Sequence, residues 1–448
     1  MATRPTTFQV VSFGCKVNQA EGAALAARLR ELGLQETDAD AKAAAHPARR
    51  LVIVNTCAVT AEAVRQGRQR ARRAARDGAE TIVTGCAAHP AARDAALARL
   101  DGVRLVEADK DRIVEALRRD RPSGGMVSPK GDHAPCSPPG PTMVTLRDDH
   151  ATRRSRAMLK VQDGCPDACA YCIVPLVRPA MRSTPPEEAV RQLADRVAEG
   201  YREVMICGIH LGLYGADLAP RTGLVDLLER MLTVRGLGRL RLSSIAPLEV
   251  SDRLLALMQA EPERLCPHLH VSLQSGDDGV LARMGRPYTA REFLEVVARI
   301  RGALPVPAVT TDVLVGFPGE TEAAFEHTLR VCREAGFSRI HAFPFSRRPG
   351  TRAAAMPGPV PREAIRARRR AVSALGDELA AAYRESLVGR SARVVLEALR
   401  PDGSAEGLSE RYVRVRVRAP LPAGAARREI LPVRLLSSAD GVLDAGVD

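Results

Sequence analysis

The chain has 448 residues, with 66 Lys and Arg against 53 Asp and Glu, a net charge of +13, ten cysteines and no tryptophan. At about 100–200 residues per domain, that length gives two to four domains with ample core and excludes a small disulfide-stapled scaffold. The basic balance favours polyanionic partners such as nucleic acid, the aromatic content of 3% leaves few platforms for stacking bases, and no run approaches the roughly 18 apolar residues of a membrane span.

The opening MATRPTTFQVVSFG has no apolar leader, so the expectation is a soluble, cytoplasmic protein whose cysteines serve as metal ligands or catalysts rather than disulfides. In residues 1–120, FQVVSF, RRLVIVN and ETIVTG alternate with helical AEGAALAARLRELG and AEAVRQGRQRARRAARD. That alternation predicts βαβ units around a parallel sheet. Cys15, Cys57 and Cys86 each stand just past one of these strands, at the edge where crevice ligands bind. Three convergent thiolates there would hold an iron-sulfur cluster with an open iron; the plainer alternative is three small buried residues packing at strand ends. Arg65, Arg68, Arg72, Arg73 and Arg76 fall close to one helical face, either a solvated basic surface or one that tracks phosphates.

Residues 121–150 are dense in Pro and Gly and read as a linker, with Cys136 incidental to it. Over residues 151–385, AMLKVQDG, EVMICGI, RLRLSSI, PHLHVSLQS, AVTTDVLVGF and SRIHAFPF are separated by helical stretches, which predicts an incomplete parallel (β/α) barrel. The first strand runs into GCPDACAYC, with Cys165, Cys169 and Cys172 at the strand end where such barrels place their chemistry. Structural zinc wants four protein ligands, whereas three thiolates on a four-iron cubane leave one iron free for a ligand. Cys207, Cys266 and Cys332 read as incidental, and His210, His268, His270 and His341 as structural or substrate-facing. In residues 386–448, RVVLEALRPDG, ERYVRVRVRAPL and EILPVRLLSS predict a small antiparallel β-barrel. Alternation there places Arg414, Arg416 and Arg418 on one face, together with Tyr412.

The cysteine spacing of GCPDACAYC, with Tyr171 before the third cysteine, resembles the signature of radical S-adenosylmethionine enzymes. FGCKVNQAE, NTCAVT and TGCAA resemble the N-terminal domain of the methylthiotransferases within that group. The likeness continues through VQDGCPDACAYCIVP, GIHLGLYG, LRLSSIAP, HLHVSLQSGDDGVLARMGRPYT, DVLVGFPGETEAAF and HAFPFSRRPGT, and the tail resembles an RNA-binding TRAM domain. Three positions depart from the pattern: Pro179 replaces a usual glycine, Ala168 a common aromatic, and Ala246 a usual glutamate.

The resemblance implies two 4Fe-4S clusters and S-adenosylmethionine as cofactors. Cys165, Cys169 and Cys172 would hold the radical-generating cluster; Cys15, Cys57 and Cys86 would hold an auxiliary cluster that carries or donates sulfur. Tyr171, Gly208, Ser243, Gln274 and Asp312 match blocks expected to contact S-adenosylmethionine, the alternative being residues that only shape the barrel. The implied reaction inserts sulfur and a methyl group at an unactivated C–H bond, with electrons from a donor such as flavodoxin or ferredoxin. The GCKVNQAE form, with Lys16 and Val17, resembles the branch acting at C2 of N6-threonylcarbamoyladenosine at position 37 of tRNA. The isopentenyladenosine branch, the branch modifying a ribosomal-protein aspartate, and a non-catalytic RNA-binding iron-sulfur protein are the alternatives.

Overall fold

The computed structural model describes residues 5–37, 50–92, 97, 99–119 and 155–447. The linker expected over 121–150, with Cys136, lies outside the described residues. The N-terminal sheet comprises β1 (Thr7–Ser12), β2 (Gln35–Glu36), β3 (Arg50–Thr56), β4 (Glu80–Gly85) and β5 (Val103–Val106), in the order β2-β1-β3-β4-β5 and parallel throughout. The central β3 reads RLVIVNT and is buried along nearly its whole length, as a parallel strand covered by helices on both faces requires. Helix Lys16–Glu31 places Leu25, Ala26 and Leu29 on one face of the sheet. Helix Ala61–Arg76 places Val64, Ala71 and Ala74 on the other, capped by the Thr60 hydroxyl, which accepts from Ala63 N.

The central unit is an open barrel of parallel strands: β6 (Arg156–Asp163), β8 (Glu203–Gly208), β9 (Arg239–Leu242) continued by β10 (Ser244–Ile245), β11 (His268–Val271), β12 (Ala308–Val315) and β13 (Arg339–Pro344). A two-residue strand β7 (Arg182–Ser183) adds antiparallel to the free edge of β6. Alternation along the strands sends Leu159, Val204, Ile206, Leu240, Leu242 and Leu269 outward into a core shared with the surrounding helices. The other parity is polar: Arg156, Glu203, Arg239, Arg241, His268, His270 and Thr310 occupy it. Cys207 and Met158 meet Val17 and Ala20 of the first N-terminal helix, so the N-terminal domain packs against the inner side of the open barrel.

Strands β14 (Ser391–Leu399), β15 (Ala405–Ser409), β16 (Arg414–Val417), β17 (Ile430–Ala439) and β18 (Val442–Val447) close a C-terminal barrel in the order β14-β15-β16-β18-β17. The sequence predicts antiparallel pairing throughout; β16 and β18 are instead parallel, because β17 turns back between them to close against β14. This barrel seats on the N-terminal ends of the central strands. Arg239 and Arg241 there donate to the carbonyls of Arg393, Leu408, Ser409 and Glu410.

A second difference concerns Tyr412. It does not share the face of Arg414, Arg416 and Arg418, because it precedes β16 in a turn with φ 62°. Its ring enters the barrel floor, stacks on His268 at 4.7 Å, and lies 4.9 Å beneath the Arg241 guanidinium. The three arginines do alternate with buried valines and are exposed.

Candidate functional site

The C-terminal ends of the N-terminal strands face the C-terminal ends of the barrel strands, and both sets of cysteines lie at this junction. Cys15 caps helix Lys16–Glu31, Cys57 follows β3 and Cys86 follows β4. Tight backbone brings them together: Gly14 has φ 89°, and a Cβ there would lie 2.3 Å from the Cys57 Cβ. Gly85, at φ 91°, would drive a Cβ to 2.3 Å from the Thr56 carbonyl oxygen. Only glycine fits these two turns without strain. Solvent reaches Cys15, yet enough protein surrounds it that desolvation, and then the neighbouring Cys57 thiol, pushes its pKa up to about 11. Burial, reinforced by Cys86, likewise raises that of Cys57.

In the barrel loop Cys165, Cys169 and Cys172 also converge. Burial pushes the Cys172 thiol up to about 12, with Cys169 and Cys165 adding to the shift. The sulfurs receive N–H donors: Val59 N points at Cys57 Sγ and Val174 N at Cys172 Sγ, each at 3.4 Å. Arg178 Nε donates to Cys86 Sγ at 3.4 Å, and Arg286 Nη1 to Cys169 Sγ at 3.3 Å. Donors aimed at thiolate sulfur are the outer shell that iron-sulfur ligation uses. Both triads therefore fit a cluster in donor chemistry.

His210 Nδ1 lies 3.5 Å from Cys165 Sγ and 3.3 Å from Asp167 Oδ2, while its Nε2 meets the Glu249 carboxylate. Burial alone would lower the imidazole pKa, but Cys165, Glu249 and Asp167 hold it up at about 10. Ligand atoms of Cys165, Asp167 and His210 lie within 4.8 Å of one another, but this group shares Cys165 with the loop triad and so adds no separate centre. Glu249 also accepts from Ala246 N at 3.1 Å.

The remaining residues expected at the cofactor are spread around the same mouth. Gly208 ends β8 against Gln162. Ser243 breaks β9 from β10, and its buried hydroxyl oxygen has no hydrogen-bond partner among the described residues, as a ligand-facing group would. Gln274 has φ 65° and bridges to β12; strain of this kind collects at functional sites. Asp312 Oδ2 lies 3.3 Å from His270 Nε2, deeper in the barrel. Tyr171 is half-buried beside Cys172, its hydroxyl pKa raised well above normal by burial although the Arg286 charge opposes that shift. A cleft of about 1050 Å³ runs beside this junction along helix Lys16–Glu31 and β6, and reaches Cys86 and Arg178 but not the loop cysteines. It is an inter-domain groove, not the space between the thiols.

Sequence alone does not single out Arg178, Arg286 or Glu249 as functional. The available signal is position: Arg286 lies within HLHVSLQSGDDGVLARMGRPYT, Arg178 three residues past the block that ends at Pro175, and His210 two residues past the end of β8.

The chain matches the Radical SAM superfamily over residues 159–332 and the uncharacterized protein family UPF0004 over residues 7–106. It is 36% identical over 411 residues to threonylcarbamoyladenosine tRNA methylthiotransferase MtaB of Thermotoga maritima, spanning 91% of this chain and 90% of the relative. Identity to the Bacillus subtilis protein of the same name is 33% over 416 residues, 90% and 88% of the two chains. A tRNA-2-methylthio-N(6)-dimethylallyladenosine synthase of Acidothermus cellulolyticus is 33% identical over 432 residues, 93% of this chain and 82% of that one. Among solved structures, the radical S-adenosylmethionine methyltransferase TsrM of Kitasatospora setae superposes with a TM-score of 0.55 at 17% identity, covering 78% of this chain and 74% of that one, a likeness of fold alone.

Proposed function

The chain belongs to the radical S-adenosylmethionine methylthiotransferase family, in its threonylcarbamoyladenosine branch, and from that premise we propose that it adds a methylthio group to C2 of N6-threonylcarbamoyladenosine at position 37 of tRNA. Membership brings with it a 4Fe-4S cluster and S-adenosylmethionine. Cys165, Cys169 and Cys172 are proposed to hold that cluster, and Cys15, Cys57 and Cys86 a second one that serves as the sulfur source. Bound there together with S-adenosylmethionine, the first cluster would supply one-electron reductive cleavage of that cofactor, the electron coming from an external donor. The protein's own part is to hold, orient and enclose. Val174 N and Arg286 keep donors on the loop sulfurs, and Ser243, Gln274 and Tyr171 are proposed to seat S-adenosylmethionine.

The observation that carries the reading is the convergence of two thiol triads, from separate domains, on one junction. RNA is proposed to lie across two basic surfaces. One is the outer face of helix Ala61–Arg76, where Arg65, Arg68, Arg72 and Arg76 line a groove that starts just past the Cys57 loop. Arg65 is paired with Glu62, while Arg72 and Arg76 are exposed and have no ion-pair partner among the described residues. The other is the Arg414, Arg416 and Arg418 face of β16. An electron donor such as flavodoxin or ferredoxin completes the proposed set of partners.

Nucleoside mass spectrometry of tRNA from cells lacking the gene tests the substrate. The expected result is loss of 2-methylthio-N6-threonylcarbamoyladenosine with accumulation of its unthiolated precursor. Loss of the methylthio-isopentenyl nucleoside instead would move the protein to the neighbouring branch, and an unchanged profile would overturn a tRNA substrate.

A further inference from the structure

Arg178 touches both cysteine sets, one thiol through its side chain and the loop backbone through its carbonyl. Its carbonyl accepts from Cys165 N at 3.4 Å, and its Nε donates to Cys86 Sγ at 3.4 Å. The rest of the guanidinium is clamped. Nη1 donates to Glu21 Oε1 at 2.7 Å and to Asp163 Oδ1 at 2.7 Å, and Nη2 donates to Glu21 Oε2 at 2.9 Å. The side chain is only 12% exposed.

The two acids come from opposite sides of the junction. Glu21 sits on the helix that Cys15 caps, and Asp163 ends the strand that leads into the Cys165 loop, where its carboxylate also accepts from Gly164 N at 2.8 Å. Lys110 and Lys160 pair with Glu21 at 2.8 Å each. Burial alone would raise the Glu21 pKa, but the Arg178 hydrogen bonds and these cations hold it well below the ordinary carboxylate range. The backbone leads there directly: the short helix Val174–Val177 runs from Cys172 into Arg178, which leaves the helix at φ −143°, ψ 62°, and the following Pro179 disfavours continuing the helix.

We propose that Arg178 is a positioning residue that fixes the auxiliary thiol triad relative to the radical-generating triad and, through its N–H on the Cys86 sulfur, couples the two. The proposal rests on the two-cluster reading above. A guanidinium suits this role because its planar fork satisfies Glu21 through two nitrogens while Nε still points at sulfur, and its charge persists when buried. A lysine keeps the charge but offers one nitrogen, which cannot serve Glu21, Asp163 and Cys86 in the same geometry.

The experiment uses the full chain, reconstituted anaerobically, as wild type, Arg178→Lys and Arg178→Gln. Iron and sulfide content, the midpoint potential of the N-terminal cluster from spectroscopic titration, and the ratio of 5′-deoxyadenosine to methylthiolated product are read together. Both variants are expected to bring that potential down, because a hydrogen bond to a ligand sulfur raises it, and to increase 5′-deoxyadenosine per product several-fold. Arg178→Lys is expected to keep wild-type iron, so that the shift is not a consequence of misfolding. A wild-type potential and ratio in Arg178→Gln would overturn the proposal. So would a parallel loss of iron and of both products in Arg178→Lys with the ratio unchanged, which marks a merely structural strut. Wild-type protein that holds only about four irons would instead overturn the two-cluster reading itself, before any variant is compared.

Discussion

The two ends of the open barrel carry buried polar groups for opposite purposes. At the C-terminal end of the strands, thiols, His210 and the Ser243 hydroxyl are gathered, and the Ser243 oxygen has no hydrogen-bond partner among the described residues. At the N-terminal end the charges are all paired. Glu203, Arg239 and Arg241 are fully buried; the carboxylate accepts from both guanidiniums, whose remaining N–H groups donate to carbonyls of the C-terminal barrel. Tyr412 fills the floor beside them. Charge that is buried and fully paired docks one domain on another, whereas the buried Ser243 hydroxyl is left open to a ligand; among the described residues the closed end keeps two unpartnered polar atoms of its own, Ser155 Oγ and His268 Nδ1.

The sharpest way to break this contrast is to remove the groups at the open end. Replacing Cys165, Cys169 and Cys172 together by Ala is expected to abolish 5′-deoxyadenosine formation and to lower reconstituted iron from about eight to about four per chain. The same exchange at Cys15, Cys57 and Cys86 is expected to remove the same amount of iron and all methylthiolated product, while 5′-deoxyadenosine still forms. The loop variant should keep its unfolding midpoint in the absence of iron, since Cys165, Cys169 and Cys172 stand outside the hydrophobic cores of the barrel. Zinc in place of iron, or full iron in either variant, would sink the assignment.

The closed end is expected to respond in stability rather than chemistry. Burial would raise the Glu203 pKa, but Arg239 and Arg241 overcome it and push the carboxyl down to about 2 from an ordinary 4.5. A depressed carboxyl contributes stability that is complete above its unfolded value and is lost as pH falls toward the folded one. Unfolding free energy should therefore decline from about pH 4.5 toward pH 2, in part through this group. Glu203→Gln should flatten that part of the decline and cost about 3–5 kcal/mol at neutral pH, because two buried guanidiniums lose their counter-charge. Denaturant titration of both proteins across that range, with iron measured at neutral pH, checks it. An unchanged neutral-pH stability in Glu203→Gln would mean that the closed end is not held by its charges.

These two ends also differ in how far they can be read from sequence. The loop triad is legible because its three ligands fall within nine consecutive residues and need no fold to be seen. The N-terminal triad requires one step more, the recognition that three distant cysteines occupy equivalent strand ends. Six barrel strands are legible from their β-branched runs. The closed end is not: RLRL looks like any strand with alternate charges, and the partners of Arg239 and Arg241 are backbone carbonyls, which no side-chain pattern encodes. Tyr412 is misplaced for a related reason. Period-two alternation in RYVRVRVR puts it beside the arginines only if the strand begins there, and a left-handed turn at Tyr412 breaks the period. Arg178 stays invisible because its importance lies in spanning two domains that are adjacent only once folded.

The smallest expected effect lies on the outside of the docked barrel, and it asks whether that domain serves RNA or only seals the floor. Deleting the domain cannot decide this, because it would also strip Arg239 and Arg241 of their carbonyl partners and expose the floor. Point substitutions avoid the problem. Arg414, Arg416 and Arg418 are exposed on one face of the strand, and the acid that meets them among the described residues is Asp444, 3.8 Å from Arg416 and 3.4 Å from Arg418. Exposed pairs of this kind contribute about 0–1 kcal/mol, so replacing the three arginines by Gln should leave the unfolding midpoint nearly unchanged. If each contacts a phosphate, each contributes roughly −0.7 to −0.9 to the slope of log affinity against log salt. The triple variant should then bind tRNA more weakly at low salt and show a slope shallower by about 2 to 3, with iron content and the Tyr412 contacts intact. An unchanged slope would leave the barrel a floor alone and throw the phosphate contacts back onto the arginine face of helix Ala61–Arg76, where the Arg72 and Arg76 pair becomes the next substitution to titrate.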